Sequence, residues 1–429
     1  MAVRVPTLCA LHPFVLVAAL LCLLAATPAH ADPSGLFSGE SVSAFADLRL
    51  VAADGERSWA DGGFGKSRFG GADDQDWKLR AVPTEAELIW QPRFSWSLSG
   101  TVAVAAQDGQ DHPADLIEAY VTFKPLLKGG THLSGRAGLY WPSVSLEHQG
   151  AAWQVADMIT PSAINSWIGE EVKLVGAEAT LAQDIGANQI SGTIGVFGFN
   201  DTAGTLLAFR GWALHDLKAT AFGHQPLPHL NEQLEYAQAA KTRPLIEVDD
   251  RPGFYAKLQW RMAAPVTLNA FYYRNRGDPE AVTNRLQWGW DTRFWNVGGR
   301  FGLGRRTTIM AQALTGTTEM GYEAEGHHWV ETRFRSAYGR ISHIVGKVTV
   351  SARYDVFDTR EHGSYMDRGE SEKGWAGTAA ISWKLTSHVN ILGEVLHIES
   401  KRGGVREEEL GLPARQRQTV VQASIRLSY

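Results

Sequence analysis

The last residues of the chain alternate strictly between apolar and polar side chains. In TVVQASIRLSY, residues 419–429, the apolar Val421, Ala423, Ile425 and Leu427 alternate with the polar Gln422, Ser424 and Arg426. A period of two predicts an extended strand with one apolar and one polar face. Because a strand in a membrane cannot leave an unpaired edge, we expect this one to pair with the first strand and close a barrel.

Runs of the same kind recur along the chain. Residues 93–107, 252–262, 347–356 and 375–385 each alternate over about 9–12 residues, enough to cross a bilayer at a tilt. The apolar face is often capped by an aromatic residue, as in a membrane girdle: Phe94, Trp141, Phe254, Trp375 and Tyr429. We count about sixteen runs, an even number as in bacterial barrels. Their centres lie near Ala46, Glu87, Gly100, Ala119, Ala137, Ala177, Ile194, Leu258, Asn269, Val297, Ala311, Arg333, Val350, Ala379, Gly393 and Ala423. The registers are least defined near Ala46, Glu87, Ile194, Val297 and Ala311, where an error of one residue exchanges the two faces.

The connections between these runs are alternately short and long. Short ones include residues 91–93, 263–265, 343–346 and 386–388, and long ones include 51–76, 142–170, 200–251, 274–290 and 400–416. Outer-membrane barrels have tight turns at the periplasmic rim and long loops outside. The sequence therefore predicts an all-β, up-and-down antiparallel transmembrane barrel. Inside one long loop, Leu227, Leu230 and Leu234 have helical spacing and predict a short helix over 226–240.

The first residues have the pattern of a secretory leader. A charged Arg4 precedes an apolar run at 14–26, and Ala29-His30-Ala31 matches a cleavage site. We therefore expect a signal peptide at residues 1–31 and a single barrel domain at residues 32–429. Both cysteines, Cys9 and Cys22, fall in the leader, so no disulfide framework is expected in the mature chain.

Composition excludes several classes of protein. The net charge of −5 argues against a nucleic-acid partner, and the mean hydropathy of −0.19 is too polar for a helical membrane protein. The 14 histidines show no metal-binding spacing, so we predict neither a metal nor a cofactor.

A barrel of this size leaves an aqueous channel, whose width depends on what folds into it. The long connection after the fifth run, residues 142–170, is rich in apolar residues that a loop in water would not need. We expect it to fold inward and constrict the channel, with Glu147, His148, Asp157 and Asn165 facing the pore. The alternative is an external loop that clasps a neighbouring subunit.

The polar faces of the runs carry many charges. The cations that we assign to the pore wall are Arg136, Lys257, Arg261, Arg333, Arg335, Lys347, Arg353, Lys384 and Arg426. The acids on the same faces are Asp47, Glu118, Glu178, Glu331, Asp355 and Glu394. Rows of cations would concentrate anions and offer successive weak sites. The alternative is that these are solvated charges without sharp selectivity.

The segment GRAGLYWPSVSLEHQGAAWQVADMITPSAINSWIGEEVKLVGAEATL, residues 135–181, resembles Gram-negative porins of the phosphate-selective porin O and P superfamily. The resemblance implies a homotrimer in outer-membrane lipid that passes small hydrophilic solutes, often anions, by passive or facilitated diffusion. The terminal Tyr429 resembles the signal that the barrel assembly machinery reads. The arginines here are scattered among acids instead of forming the dense ladder of the phosphate-selective members, so phosphate selectivity is not carried over.

Two other classes of function compete with this interpretation. An outer-membrane lipase or deacylase would need a catalytic set, for which Ser145, His148 and Asp157 are the candidates in the sequence. A soluble saccharide-binding β protein would use exposed tryptophans for stacking. The alternating loop lengths and the long runs argue against the soluble protein.

Overall fold

The computed structural model describes residue 36 and residues 40–72, 75–366 and 368–429. Sixteen antiparallel strands, each hydrogen-bonded to its neighbours in the chain, close into one barrel. In chain order they are β1 (Val42–Ala53), β2 (Lys78–Trp90), β3 (Leu98–Gln107), β4 (Asp115–Phe123), β5 (Thr131–Tyr140), β6 (Leu174–Ile185), β7 (Asn188–Gly198), β8 (Gly253–Arg261), β9 (Val266–Arg274), β10 (Asp291–Leu303), β11 (Thr307–Ala324), β12 (His327–Val345), β13 (Val348–Glu361), β14 (Glu372–Lys384), β15 (Val389–Lys401) and β16 (Arg415–Ser428). All predicted centres lie inside these strands, and the predicted up-and-down barrel is confirmed. The predicted leader, residues 1–31, lies outside the described residues.

The last strand closes the barrel as its alternation predicts. Along the β1–β16 pair, Asp47 lies opposite Arg426 and Ala46 opposite Leu427. The closure extends to the final residue, because the Tyr429 amide donates to the Ala44 carbonyl at 2.9 Å and the Ala44 amide donates back at 3.1 Å. No open edge is left between the two strands.

Each strand has an apolar outer face and a polar inner face. On β13, Arg353 and Asp355 are buried in the lumen, whereas Val350, Tyr354 and Val356 are 50%, 55% and 44% exposed on the outside. A soluble barrel would show the reverse pattern. Together with barrel closure, this inverted polarity fits a protein surrounded by lipid.

Two of the cations predicted to line the pore lie on the outer face of the barrel. Arg333 and Arg335 are exposed on the outside of β12, and the arginine of this strand that faces the lumen is Arg340. The strands β11 and β12 are 18 and 19 residues long, more than a bilayer needs. Above the lipid, outward side chains meet water, so a charged residue no longer marks the inner face.

Short helices and turns lie in the long connections. They are α1 (Ala163–Glu171), α2 (Thr205–Arg210) and α3 (Val405–Glu408), together with 3₁₀ turns at Trp59–Asp61 and Arg368–Glu370. Two small hairpins pair His148–Gln149 with Gln154–Val155 and Gln225–Pro226 with Lys241–Thr242. No helix among the described residues is long and apolar enough to cross a membrane.

The predicted helix over 226–240 is wrong, because this stretch forms successive turns. The side chain of Asn231 accepts the Leu234 amide at 3.0 Å, as at a helix start, but the turns do not continue, because the Ala239 amide donates to the Leu286 carbonyl at 3.2 Å instead of to its own segment. The leucines still pack as their pattern suggests, since Leu227, Leu230 and Leu234 are buried in a cluster with Trp288.

Candidate functional site: the barrel lumen

The connection between β5 and β6 folds into the barrel and crosses it. We call residues 142–172 the first lumenal segment. At one wall, the Ala152 amide donates to Glu118 of β4 at 2.7 Å. At the other, the Ile159 amide donates to Glu394 of β15 at 2.7 Å. Because β4 and β15 are well separated around the barrel, the segment spans the lumen between them.

Helix α1 is held at the far wall by its own N-terminus. The Ala163 amide donates to Asp355 of β13 at 3.0 Å, and Ser162 caps the helix by accepting the Asn165 amide at 3.3 Å. The amide of the Asn165 side chain also donates to Gln312 of β11 at 2.9 Å. Wall acceptors thus satisfy donors that a helix start leaves free.

Glu147 lies at the centre of this anchor. It accepts the Ser162 amide at 2.8 Å and the Asn165 side chain at 2.7 Å, and pairs with Arg353 at 3.3 Å. Burial opposes its ionisation, but the Arg353 guanidinium outweighs burial and holds the pKa of Glu147 below its usual range. Arg353 also donates to the Thr160 carbonyl at 2.7 Å. Arg353 therefore holds both the backbone before helix α1 and the buried Glu147 against the wall.

His148 and Asp157 have separate roles in this segment. The His148 ring stacks on Trp153 with centroids 4.0 Å apart and bonds to Ser145 Oγ at 2.9 Å. Burial lowers the pKa of His148 to about 3, so the ring is neutral. Asp157 instead pairs with Arg340 at 3.3 Å. A serine hydrolase needs its histidine between serine and acid, and these contacts do not assemble that set.

A second connection also enters the lumen, which the sequence reasoning missed. We call residues 200–221 the second lumenal segment. Its helix α2 ends at Arg210, which forms a two-pronged pair with Glu170 at 2.6 and 2.7 Å and stacks on Trp59 at 4.6 Å. Although burial opposes ionisation, Arg210 lowers the pKa of Glu170 to about 2. The apolar residues at 206–217 carried the same signal as those of the first segment.

The second lumenal segment is tied to the wall by its own charges. Asp216 pairs with Arg49 of β1 and, at 3.1 Å, with Arg68. Despite burial, these two guanidinium groups hold the pKa of Asp216 far below its usual range. Lys218 pairs with Glu85 of β2 at 2.8 Å.

A third connection packs beside them. Lys66 pairs with Glu372 at 2.6 Å and donates to the Arg210 carbonyl at 2.9 Å, so it joins the wall to the second lumenal segment. Burial lowers the pKa of Lys66 to about 8. The part of the lumen that these segments occupy is thus packed with buried, paired charges.

Most of the cations assigned to the pore wall face the lumen. Arg353 and Arg426 are buried, and Arg426 donates to the Val155 carbonyl at 2.6 Å. Arg136 pairs with Glu178 at 2.7 Å, and Lys257 donates to the Ser143 carbonyl at 2.7 Å.

The remaining assigned residues lie at strand ends or outside. Arg261 and Lys384 occupy lumen-side positions at the short-turn ends of their strands, and Lys347 lies in a turn. Among the acids, Asp47, Glu118, Glu178, Asp355 and Glu394 face inward. Glu331 is on the outer face of β12, where it bonds to His327 at 2.9 Å, so its assignment to the pore wall is wrong for the same reason as that of Arg333 and Arg335.

Comparison with solved structures places this architecture among known proteins. An anion-selective porin from Comamonas acidovorans is 10% identical over 91% of this chain and 99% of its own, with a TM-score of 0.53. The outer membrane channel DcaP of Acinetobacter baumannii is 11% identical over 92% of this chain and 99% of its own, with a TM-score of 0.52. The chain has the porin fold. OmpT, an outer membrane protein of Vibrio cholerae in its trimer form, is 10% identical over 91% and 99%, with a TM-score of 0.50. No family model and no curated protein matches the chain.

The fold confirms the predicted resemblance to Gram-negative porins. At this level of identity the neighbours establish the barrel and its arrangement. They do not distinguish the phosphate-selective superfamily from other porins.

Proposed function

We propose that the chain is an outer-membrane porin that forms a water-filled channel for small hydrophilic solutes. The observation that carries the proposal is the first lumenal segment, which crosses a closed sixteen-stranded barrel and is bonded to separate walls. A segment held in this way sets the cross-section through which a solute passes. Glu147, His148, Asp157 and Asn165 then belong to the constriction, as structural anchors or lining groups.

We propose that the channel favours anions. Lys257, Arg261, Arg300 and Lys384 lie at lumen-side positions toward the short-turn end. Among the described residues, none of these four has a carboxylate within 4.0 Å. By contrast, each of three other lumenal cations forms an ion pair: Arg136, Arg353 and Arg426. Unpaired cations on a low-dielectric wall concentrate anions.

We propose a homotrimer whose contacts use the outer face of β2–β8. The outward register positions of these strands carry no charged residue; they include Leu88, Leu133, Leu181, Ile194 and Leu258. A face without charges suits a permanent subunit contact inside a membrane. The trimer form of Vibrio cholerae OmpT supports this state for the fold.

Single-channel recording in planar bilayers tests the channel. Wild-type protein is expected to give discrete conductance steps. Removal of residues 149–157, closed with a short glycine-serine link, is expected to raise the step size severalfold. A matched deletion of residues 278–286, in the exposed connection before β10, should leave it unchanged. Each variant must retain the heat-dependent gel shift of a folded barrel. Absence of steps from the wild type would refute the porin, and equal steps after the first deletion would refute the constriction.

Reversal potentials in a salt gradient test the selectivity. Lys257→Gln with Arg261→Gln is expected to move the reversal potential toward cation preference. The control pair Arg333→Gln with Arg360→Gln removes two cations from the outer face and should have no effect. A shift in the control alone would show that outer charges dominate.

The proposed role of Tyr429 in assembly has its own test. The side chain is 76% exposed, so little packing is lost when it is removed. Deletion of Tyr429 is expected to reduce the amount of barrel in the membrane more than the conductance of the assembled channels. Normal membrane yield would count against the role.

A further inference from the structure

A depression of about 880 Å³ lies on the outer face of the barrel, across β10–β16. Its floor is formed by small residues, including Ala313 and Ala337, which are paired across β11 and β12. The depression is also lined by three aromatic residues, Trp295, Tyr354 and Trp375. The rings of Tyr354 and Trp375 stack, with their centroids 5.8 Å apart. We call this surface the outer groove. The outer groove is an apolar depression bordered by aromatic side chains, on the lipid-facing side of the barrel.

A row of cations lies at the long-loop end of the outer groove. One hydrogen-bonded row of the sheet carries, in order, Thr315, Arg335, Asp358, Lys373, Lys401 and Arg415. The Arg335 and Arg415 side chains are 59% and 74% exposed. Since long loops lie outside in such barrels, this row is at the level of the outer leaflet's headgroups.

The carboxylates of the groove do not neutralise this row. Asp358 pairs with Arg335, and Glu399 pairs with Arg415 at 2.9 Å. Lys373 and Lys401 are exposed neighbours across β14 and β15, and neither has an ion pair among the described residues. Two adjacent like charges are unfavourable in a sheet unless an anion lies between them.

The opposite side of the barrel provides the contrast. Leu79, Ala81 and Pro83 of β2 and Val196 of β7 continue the apolar face toward the long-loop end. The outward positions of β2–β8 carry no cation at the corresponding level. An apolar groove next to a row of cations is therefore found on β10–β16 and is absent from the outward positions of β2–β8.

We propose that the outer groove binds a phosphorylated lipid of the outer leaflet. The acyl chains would lie over the alanine floor beside Tyr354 and Trp375, and the phosphates would contact Lys373 and Lys401. Charge complementarity selects this occupant over a zwitterionic lipid, because paired lysines at the headgroup level attract anionic groups. Tryptophan at the boundary of the apolar band suits the same depth.

The charge half of the proposal is tested with purified detergent-solubilised barrel and diphosphoryl lipid A as probe, by native mass spectrometry. The wild type is expected to retain one lipid, and dephosphorylated lipid A is expected to bind more weakly. Lys373→Gln with Lys401→Gln should weaken retention about 30-fold, since each lysine near phosphates contributes about fivefold. Lys347→Gln with Arg305→Gln, which removes two exposed cations from turns at the other rim, is the matched control. Equal retention by the test and control pairs would overturn the proposal.

The shape half is tested by filling the groove. Ala337→Leu adds bulk on the floor and is expected to reduce lipid retention at least several-fold. Ala423→Leu makes the same change at an exposed outward position of β16 that does not line the groove, and should not reduce it. Loss of the trimer in Ala337→Leu, with lipid retention unchanged, would assign the groove to a second copy of the chain and refute the lipid. All variants are checked for the heat-dependent gel shift.

Discussion

The two lumenal segments are held in the barrel in different ways. The first is bonded directly to the wall, because amides at Ala152, Ile159 and Ala163 donate to wall carboxylates and its Glu147 pairs with the wall residue Arg353. The second uses its own charged side chains, and its Arg210 is paired with the first segment through Glu170. The first can therefore hold its position without the second, whereas part of the second's attachment exists only when the first is in place.

Breaking the main anchor of the first segment is expected to have the largest effect. Arg353→Met leaves Glu147 and Asp355 buried without their partner, a loss of about 5 kcal/mol at the upper end of such changes. Both segments should then leave the lumen, which raises conductance and protease sensitivity together. Proteolysis followed by mass spectrometry shows which segment is cut. Cleavage confined to residues 200–221 would contradict the dependence that we infer.

Arg210→Met tests the second segment alone. It leaves the buried Glu170 with His215, 3.2 Å away, as its remaining ionic neighbour, at a cost of about 3 kcal/mol. We expect cleavage within residues 200–221 while the first segment stays protected. The double variant Arg210→Met with Glu170→Gln should recover part of the loss, because the uncompensated charge is gone. If the double variant is no better than the single one, charge is not what holds this contact.

A carboxyl group at the junction predicts a dependence on pH. Glu171 accepts the Trp167 indole at 2.6 Å and the Leu206 amide of α2 at 2.8 Å. Burial and the neighbouring Glu170 raise the pKa of Glu171 to about 7, from 4.5. The folded protein thus binds a proton that the unfolded chain releases above about 4.5, so the stability supplied here falls as pH rises from 4.5 to 7 and stays lower above 7.

The difference between pH 5.5 and 7.5 is expected to be about 2 kcal/mol. Protection of residues 200–221 from protease should therefore be greater at pH 5.5. Glu171→Gln should remove this dependence of protease protection on pH. At each pH the protection of the variant is subtracted from that of the wild type, so that the effects of other titrating groups cancel. The same pH dependence in both proteins would exclude Glu171 as its source.

The smallest effect is expected on the outer face. Arg335 and Asp358 form an exposed pair, and exposed pairs contribute less than about 1 kcal/mol. Arg335→Gln should leave both lumenal segments, the conductance and the reversal potential unchanged. A change in reversal potential would restore Arg335 to the pore wall.

The strand count and most faces were predictable because the period of two is a local property. Each strand near its centre alternates regardless of its partners, so Arg353 and Arg426 could be assigned inward from sequence. The orientations of Arg333, Arg335 and Glu331 were predicted wrongly, because β12 extends beyond the lipid and its outer face meets water there. The charge pattern of these positions depends on where the membrane ends along the strand. The alternation of apolar and polar residues in the sequence does not show that position.

The candidate site was predictable only in part. The apolar residues of 142–170 indicated an inward loop, and the contacts of Ala152 and Ile159 agree with that geometry. Whether the loop constricts a solute path stays a prediction. The partners of Glu147 and Glu170 could not be foreseen, since Arg353 lies 206 residues from the first and Arg210 lies 40 from the second.

The sequence by itself determined the sixteen-stranded closed barrel and its lipid-facing surface, because alternation and run length act over a few neighbouring residues. The tertiary structure decided which connections fill the lumen, which charges pair there, and that small residues of β11 and β12 meet a cation row to form the outer groove. Those features join residues far apart in the chain. Their energies exist only when barrel closure brings the residues together and removes them from water.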